Sequence, residues 1–145
     1  MTVVLDASVL FKWLLADPKR EQDTKRATSL VQAVMSGEYD ILQPFHWLAE
    51  VGAVLVRLSP ATASDDVLML RAMELPSTDE VEVLRRACSL AIDTQHHLFD
   101  TLYHAVALGR PDAVLITADE RYYKKAGAQG HIQLLSDWKL HGAGA

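Results

Sequence analysis

The run Thr2-Val3-Val4-Leu5 stops abruptly at Asp6-Ala7-Ser8. A short, β-branched apolar run with a polar boundary reads as a buried strand. The acid that follows it then stands at the strand's carboxyl end, where open parallel α/β sheets hold their ligands. Asp6 and Ser8 are also favoured helix caps, and a helix starting at Val9 would use one of them. On this stretch alone both readings stand.

The remaining chain alternates strand-like and helix-like segments. Val9 to Leu15 reads as a short helix, ended by Asp17-Pro18 because the residue before a proline avoids helical geometry. A second helix is predicted from Arg20 to Ser36, with Ala27, Leu30, Val31 and Val34 as its apolar stripe and Gly37 as its stop. Tyr39 to Pro44 reads as a second strand. Trp47, Leu48, Val51, Val54, Leu55 and Leu58 recur at helical spacing, which predicts a helix over 45–58. After Ser59-Pro60 come a helix over 61–72, a third strand over 73–76, and a helix from the capping sequence Ser77-Thr78-Asp79-Glu80 to Thr94. His96 to Phe99 reads as a connector, Asp100 as the opening of a helix that Gly109-Arg110-Pro111 closes, and Ala113-Val114-Leu115-Ile116 as a buried strand. A helical turn over 120–126 and a last strand over 131–135 follow. The alternation predicts an α/β fold, a parallel sheet with helices on both faces.

The chain has 145 residues, half of them hydrophobic, which predicts one globular domain over 1–140 with a short tail at 141–145. No apolar run is long enough to span a bilayer, and no signal-like segment precedes the first strand, so a cytoplasmic protein is expected. The single cysteine, Cys88, excludes an internal disulfide and a Cys-based zinc site. A formal net charge of -5 argues against a broad basic face for nucleic acid, but not against local binding through a metal and a few cations.

Four acids occupy comparable junctions. Asp6 and Asp119 follow strands that end at the same sheet edge, and Glu50 and Asp100 lie near the amino ends of helices entered from that edge. Each has a plainer alternative: a cap for Asp100, a solvated helix position for Glu50, a turn for Asp119. Together, four converging carboxylates repel one another unless a cation lies between them. All-oxygen ligation suits Mg2+ or Mn2+ and does not suit zinc. Asp6 and Asp100 are expected as the main metal ligands, with Glu50 and Asp119 holding a water or a second ion.

The stretches Val4 to Trp13, Pro44 to Val51, Phe99 to Ala107 and Leu115 to Asp119 are similar to those of PIN-domain ribonucleases, most of all the VapC-type toxins of bacterial toxin–antitoxin pairs. The resemblance covers nearly the whole chain. It implies a three-layer PIN-like fold with a five-stranded parallel sheet in the order 3-2-1-4-5. It also implies a metal-binding acidic site formed by Asp6, Glu50, Asp100 and Asp119, supported by the hydroxyls of Thr117 and Ser8. The function it implies is Mg2+- or Mn2+-dependent cleavage of RNA by a homodimeric endoribonuclease that a cognate VapB-like antitoxin inhibits. The alternative is a non-catalytic PIN-like domain that binds protein. A phosphorylated receiver domain fits less well, since it needs an acidic pair beside the first strand and a lysine after the last.

The six histidines match no zinc-ligand spacing and read as solvated or locally hydrogen-bonded, with His104, one turn after Asp100, a candidate to support the site. Arg121, Lys124 and Lys125 are candidate contacts to RNA phosphates, as are Lys12, Lys19-Arg20 and Lys25-Arg26; the alternative is a solvated charged face. Phe11, Trp13, Leu14 and Trp47 exceed what one helix pair needs for packing; part reads as core, and part as a dimer interface or a groove for an antitoxin helix.

Overall fold

The computed structural model describes residues 1–15 and 23–139. The expected helix end at Asp17-Pro18, the expected helix start at Arg20, the pair Lys19-Arg20 and the tail at 141–145 lie outside the described residues. Strand β1 (Thr2–Leu5) is the hub. It pairs in parallel with β2 (Asp40–Ile41) on one side and β5 (Ala113–Thr117) on the other, and β5 pairs in parallel with β6 (Ile132–Leu134). This gives a four-stranded sheet in the order β2-β1-β5-β6. Val3 and Val4 point to opposite faces and both are fully buried, so both faces of the sheet are covered.

The helices are α1 (Ala7–Leu15), α2 (Thr24–Met35), α3 (Trp47–Leu58), α4 (Ala63–Ala72), α5 (Val81–Thr94), α6 (Leu98–Leu108) and α7 (Glu120–Ala126). Helix α6 packs on β1 and β5 with α5 against it, while α1 packs on the same two strands with α2 and α3 against it. Residues 101–107 of α6 are all buried, as expected of a helix sandwiched between a sheet and another helix. No helix among the described residues is long and apolar enough to cross a membrane.

The five-stranded expectation needs correction. The segment 39–44 does not stay with one neighbour. Leu42 N–H donates to the Val3 carbonyl (3.1 Å), but Gln43 N–H donates to the Pro76 carbonyl (2.9 Å). The chain thus changes partner between residues 42 and 43, and β3 (Gln43–Pro44) forms a separate two-stranded parallel sheet with β4 (Ser77–Thr78). Leu5 would lose its ladder partner at this fork. The buried Gln43 side chain replaces it: Leu5 N–H donates to Oε1 (2.8 Å), and Nε2 donates to the Leu5 carbonyl (2.8 Å).

Strand β4 also falls later than the expected 73–76. Met73 closes α4, and Glu74 turns the chain in a left-handed conformation (φ 52°), so pairing begins only after Pro76. Ser77 and Thr78 therefore serve as strand and not as a helix cap, and α5 starts at Val81. Asp100 does not open its helix either; α6 begins at Leu98 and places Asp100 inside its first turn. Part of the aromatic surplus is core. Trp47 is buried in the core, and Phe11, Trp13 and Leu14 pack against that core partly buried.

Candidate metal centre

Asp6 follows β1 directly, and its backbone carbonyl accepts the Val9 N–H (3.0 Å) at the start of α1. Its side chain is not a cap. Oδ2 accepts the Ser8 hydroxyl (2.6 Å) and the Thr117 hydroxyl (2.8 Å). Each hydroxyl is itself held by the loop after β5: Ala118 N–H donates to Ser8 Oγ (3.0 Å), and Asp119 N–H donates to Thr117 Oγ1 (3.0 Å). Two backbone amides thus fix two hydroxyls, which fix one carboxylate oxygen. Ser8 and Thr117, the two hydroxyl residues singled out in the sequence, thus both bind Asp6.

Side-chain oxygens of Asp6, Glu50 and Asp100 all lie within 4.8 Å of one another. Burial pushes the Asp6 carboxyl up from 3.8 to about 6; Asp100 and Glu50 push it the same way, and the two hydroxyl bonds only partly oppose them. Asp119 stands apart from this trio. It groups with Asp100 and His96, again within 4.8 Å, and its Oδ1 accepts the Tyr122 N–H (3.0 Å) as the cap of α7. Asp100 is common to both groups, so the four acids form two overlapping sets.

Glu50 and Asp100 are each backed by a histidine four residues earlier. His46 Nε2 lies 2.9 Å from both Glu50 Oε2 and the Phe99 carbonyl. A carbonyl only accepts, so this nitrogen carries the proton. Its other nitrogen, Nδ1, is buried without a partner. His96 Nε2 lies 2.8 Å from Asp100 Oδ2, while its Nδ1 lies 3.3 Å from the Lys125 ammonium, which can only donate. His96 therefore also presents an N–H to its acid. Both pairs were visible in the sequence as His-x-x-x-acid, but zinc spacing was the wrong test: the histidines meet carboxylates, not one another. His104 takes the other reading, that of a locally hydrogen-bonded histidine. It is fully buried, donates Nε2–H to the Gly130 carbonyl (2.7 Å) and accepts the Tyr122 hydroxyl at Nδ1 (2.8 Å). Burial pushes its basicity down.

Tyr103 was not anticipated. Its hydroxyl is buried with no hydrogen-bond partner. Burial, aided by Glu50, Asp6 and Asp100, drives its ionisation far above the usual tyrosine range, so it remains a donor beside the carboxylates. A buried, unspent O–H close to three acids is what a hydrated cation would satisfy. The donor set fits the same group: oxygen atoms on three elements, without thiolate, suit a hard divalent ion such as Mg2+ or Mn2+.

Of the candidate cations, Arg121 and Lys124 are exposed. Lys125 is tied to the Gln95 carbonyl (3.2 Å) and to His96. Gln95, His97, Arg121 and Lys125 line a cleft of about 300 Å³ next to Asp100's histidine.

No curated protein matches the chain. PIN domains are generally nucleases and commonly use divalent metals. The family model of the PIN domain matches residues 3–128, and with those residues spanning β1 to the end of α7 and all four acids, the chain belongs to the PIN-domain family.

Proposed function

We propose that the protein is a Mg2+- or Mn2+-dependent endoribonuclease acting as the toxin of a type II toxin–antitoxin pair. The observation that carries the nuclease part is the meeting of Asp6, Glu50 and Asp100, whose charges all act on the unpartnered Tyr103 hydroxyl. Asp6, Glu50 and Asp100 would hold the ion, with Asp119 beside Asp100. The ion would supply charge neutralisation at the scissile phosphate and a water acidified toward neutral pH. The chain's own residues do the rest. Ser8 and Thr117 orient Asp6, His46 and His96 orient Glu50 and Asp100, and Arg121 and Lys124 offer positive charge to flanking phosphates.

The toxin part extends the sequence resemblance to VapC-type proteins. It brings a VapB-like antitoxin, a homodimer and a cytoplasmic RNA substrate with it. Val56, Leu58, Leu68 and Met69, exposed on the adjoining helices α3 and α4, supply apolar surface for a partner. The rival reading, a protein-binding domain with vestigial acids, is disfavoured because all four acids are present and oxygens of three lie within 4.8 Å of one another.

The test is RNA cleavage with Mg2+ or Mn2+ by Asp6→Asn and Asp100→Asn, each checked for folding by circular dichroism. Both should lose cleavage while folded. Undiminished activity in both folded variants overturns the nuclease reading. Co-purification with a small DNA-binding protein encoded next to this chain's gene tests the toxin part.

A further inference from the structure

Tyr122 touches both supports of the outer acid group with different atoms. Its backbone N–H donates to Asp119 Oδ1 (3.0 Å). Its ring lies 4.9 Å from the imidazole of His96, tilted by 47°, and that imidazole holds Asp100. The third contact points inward. The Tyr122 hydroxyl bonds to Nδ1 of His104 on α6 (2.8 Å), and both side chains are buried.

His104 has one way to fill this place. Its Nε2–H is committed to the Gly130 carbonyl (2.7 Å), which leaves Nδ1 as an acceptor. Burial and the neighbouring His131 both oppose a second proton on the ring, and only the Gly130 carbonyl favours one. The Tyr122 hydroxyl is therefore the donor. It stays protonated, because burial together with Asp100, Asp6 and Asp119 drives its ionisation above the usual tyrosine range. A phenol O–H in the field of three acids gains most by turning to one of them, since a hydrogen bond to a charged partner is roughly twice as strong as a neutral one. Here the O–H is spent on a neutral ring, and it draws no lone pair from the carboxylates. The same bond ties the first turn of α7 to α6. Asp119 caps that turn, so the bond fixes Asp119 relative to Asp100.

We propose that His104 is a positioning residue for the outer acid group: through Tyr122 it sets the places of Asp119 and of the His96 ring, and so the share that Asp119 and Asp100 take in holding a divalent cation. This inference rests on the metal site of the nuclease reading. It adds a residue outside that site that governs it, and it gives Tyr122 the role of the link.

The experiment titrates Mn2+ into the whole protein by calorimetry. Tyr122→Phe keeps the ring against His96 and the backbone bond to Asp119, and removes the hydroxyl alone. Tyr122→Phe and His104→Leu should each weaken Mn2+ binding by about tenfold, the low end for a residue that orients a ligand. The double variant should bind no more weakly than either single one, because both act through one bond. His104→Gln, whose amide offers an acceptor and a donor, should recover most of the loss. In an Asp119→Asn, His96→Ala background His104→Leu should have no further effect. Leu70→Ala, a core cavity on α4, should lower the unfolding midpoint and leave Mn2+ affinity unchanged, so a merely structural loss is told apart. Folded Tyr122→Phe and His104→Leu proteins that bind Mn2+ as wild type does overturn the inference and leave the metal site standing. So does a double variant in which the two losses multiply. Where His104→Leu does not fold, Tyr122→Phe decides alone, and wild-type affinity in it overturns the inference. Wild-type protein that binds no Mn2+ overturns both readings.

Discussion

Asp100 divides the site into two unequal halves. The inner half, Asp6 with Glu50, is built from strand β1 and helix α3 and has no freedom left: hydroxyls grip Asp6, a buried imidazole grips Glu50, and the buried Tyr103 lies close by. The outer half, Asp119 with His96, is built at the surface. Its acid doubles as the cap of α7, and its histidine is tied to an exposed lysine. The same i, i+4 histidine–carboxylate geometry, at 2.9 and 2.8 Å, thus serves two environments. In the inner half carboxylates crowd one another in a buried place; in the outer half charge is already partly met by protein. The difference teaches that four acids in one family pattern need not be four equal ligands.

The sharpest way to break this contrast is by amide substitution. Asp6→Asn should lower metal-dependent cleavage by on the order of 10³-fold, and Asp119→Asn by about tenfold, in steady-state assays on the same RNA. Equal losses would erase the distinction between the halves.

Next comes the support of the inner half. Gln43→Ala strips the Leu5 N–H and carbonyl of their partner in a dry place, at about 1–3 kcal/mol for each group left unpaired. Urea unfolding should show a loss of about 2–5 kcal/mol. A loss below 1 kcal/mol, by the same scale, means that another group steps in.

Asp6 gives a pH signature of comparable size. Its folded value of about 6 exceeds the ordinary 3.8. The folded state therefore holds this proton more tightly, and the stabilisation it contributes is complete below pH 3.8 and lost as pH rises through 6. At pH 7 the shift corresponds to about 3 kcal/mol held against the cation-free fold. Without divalent ions, Asp6→Asn should unfold at a higher temperature than wild type near neutral pH, and Mg2+ or Mn2+ should raise the wild-type midpoint far more than the variant's. A wild-type midpoint indifferent to both pH and Mn2+ argues against trapped charge.

The smaller effects separate the histidines. His46→Ala should weaken Mn2+ binding, read by calorimetry, by about 10- to 100-fold, the usual range for a residue that orients a ligand. His96→Ala should sit at the low end of that range, and Lys125→Met, which removes the donor to His96 Nδ1, should change affinity a few-fold.

Much of this was legible in the residues, for definite reasons. The strand at 2–5 and the acid behind it are local, and so are the hydroxyls of Ser8 and Thr117 at the ends of β1 and β5. The support beneath the inner half was not legible. Gln43 works through a side-chain amide standing in for backbone, 38 positions away from Leu5, and no periodicity reports that. The partner change at residue 43 is likewise a tertiary event, because β4 competes with β1 for the same stretch. His46 and His96 were within reach: an acid four residues on is a helical neighbour. Tyr103 is a core residue, and only its unspent hydroxyl reveals more.

Gln43 carries one more implication. A strand that stayed zipped to β1 through residue 44 would close over the end of the sheet and leave the first turn of α3 nowhere to enter. By letting one side chain impersonate the missing neighbour, the chain peels away at no loss to Leu5 and passes through β3 into α3, the helix that brings Glu50 to Asp6. Any redesign that straightens this fork for the sake of a tidier sheet should erase the pocket with it.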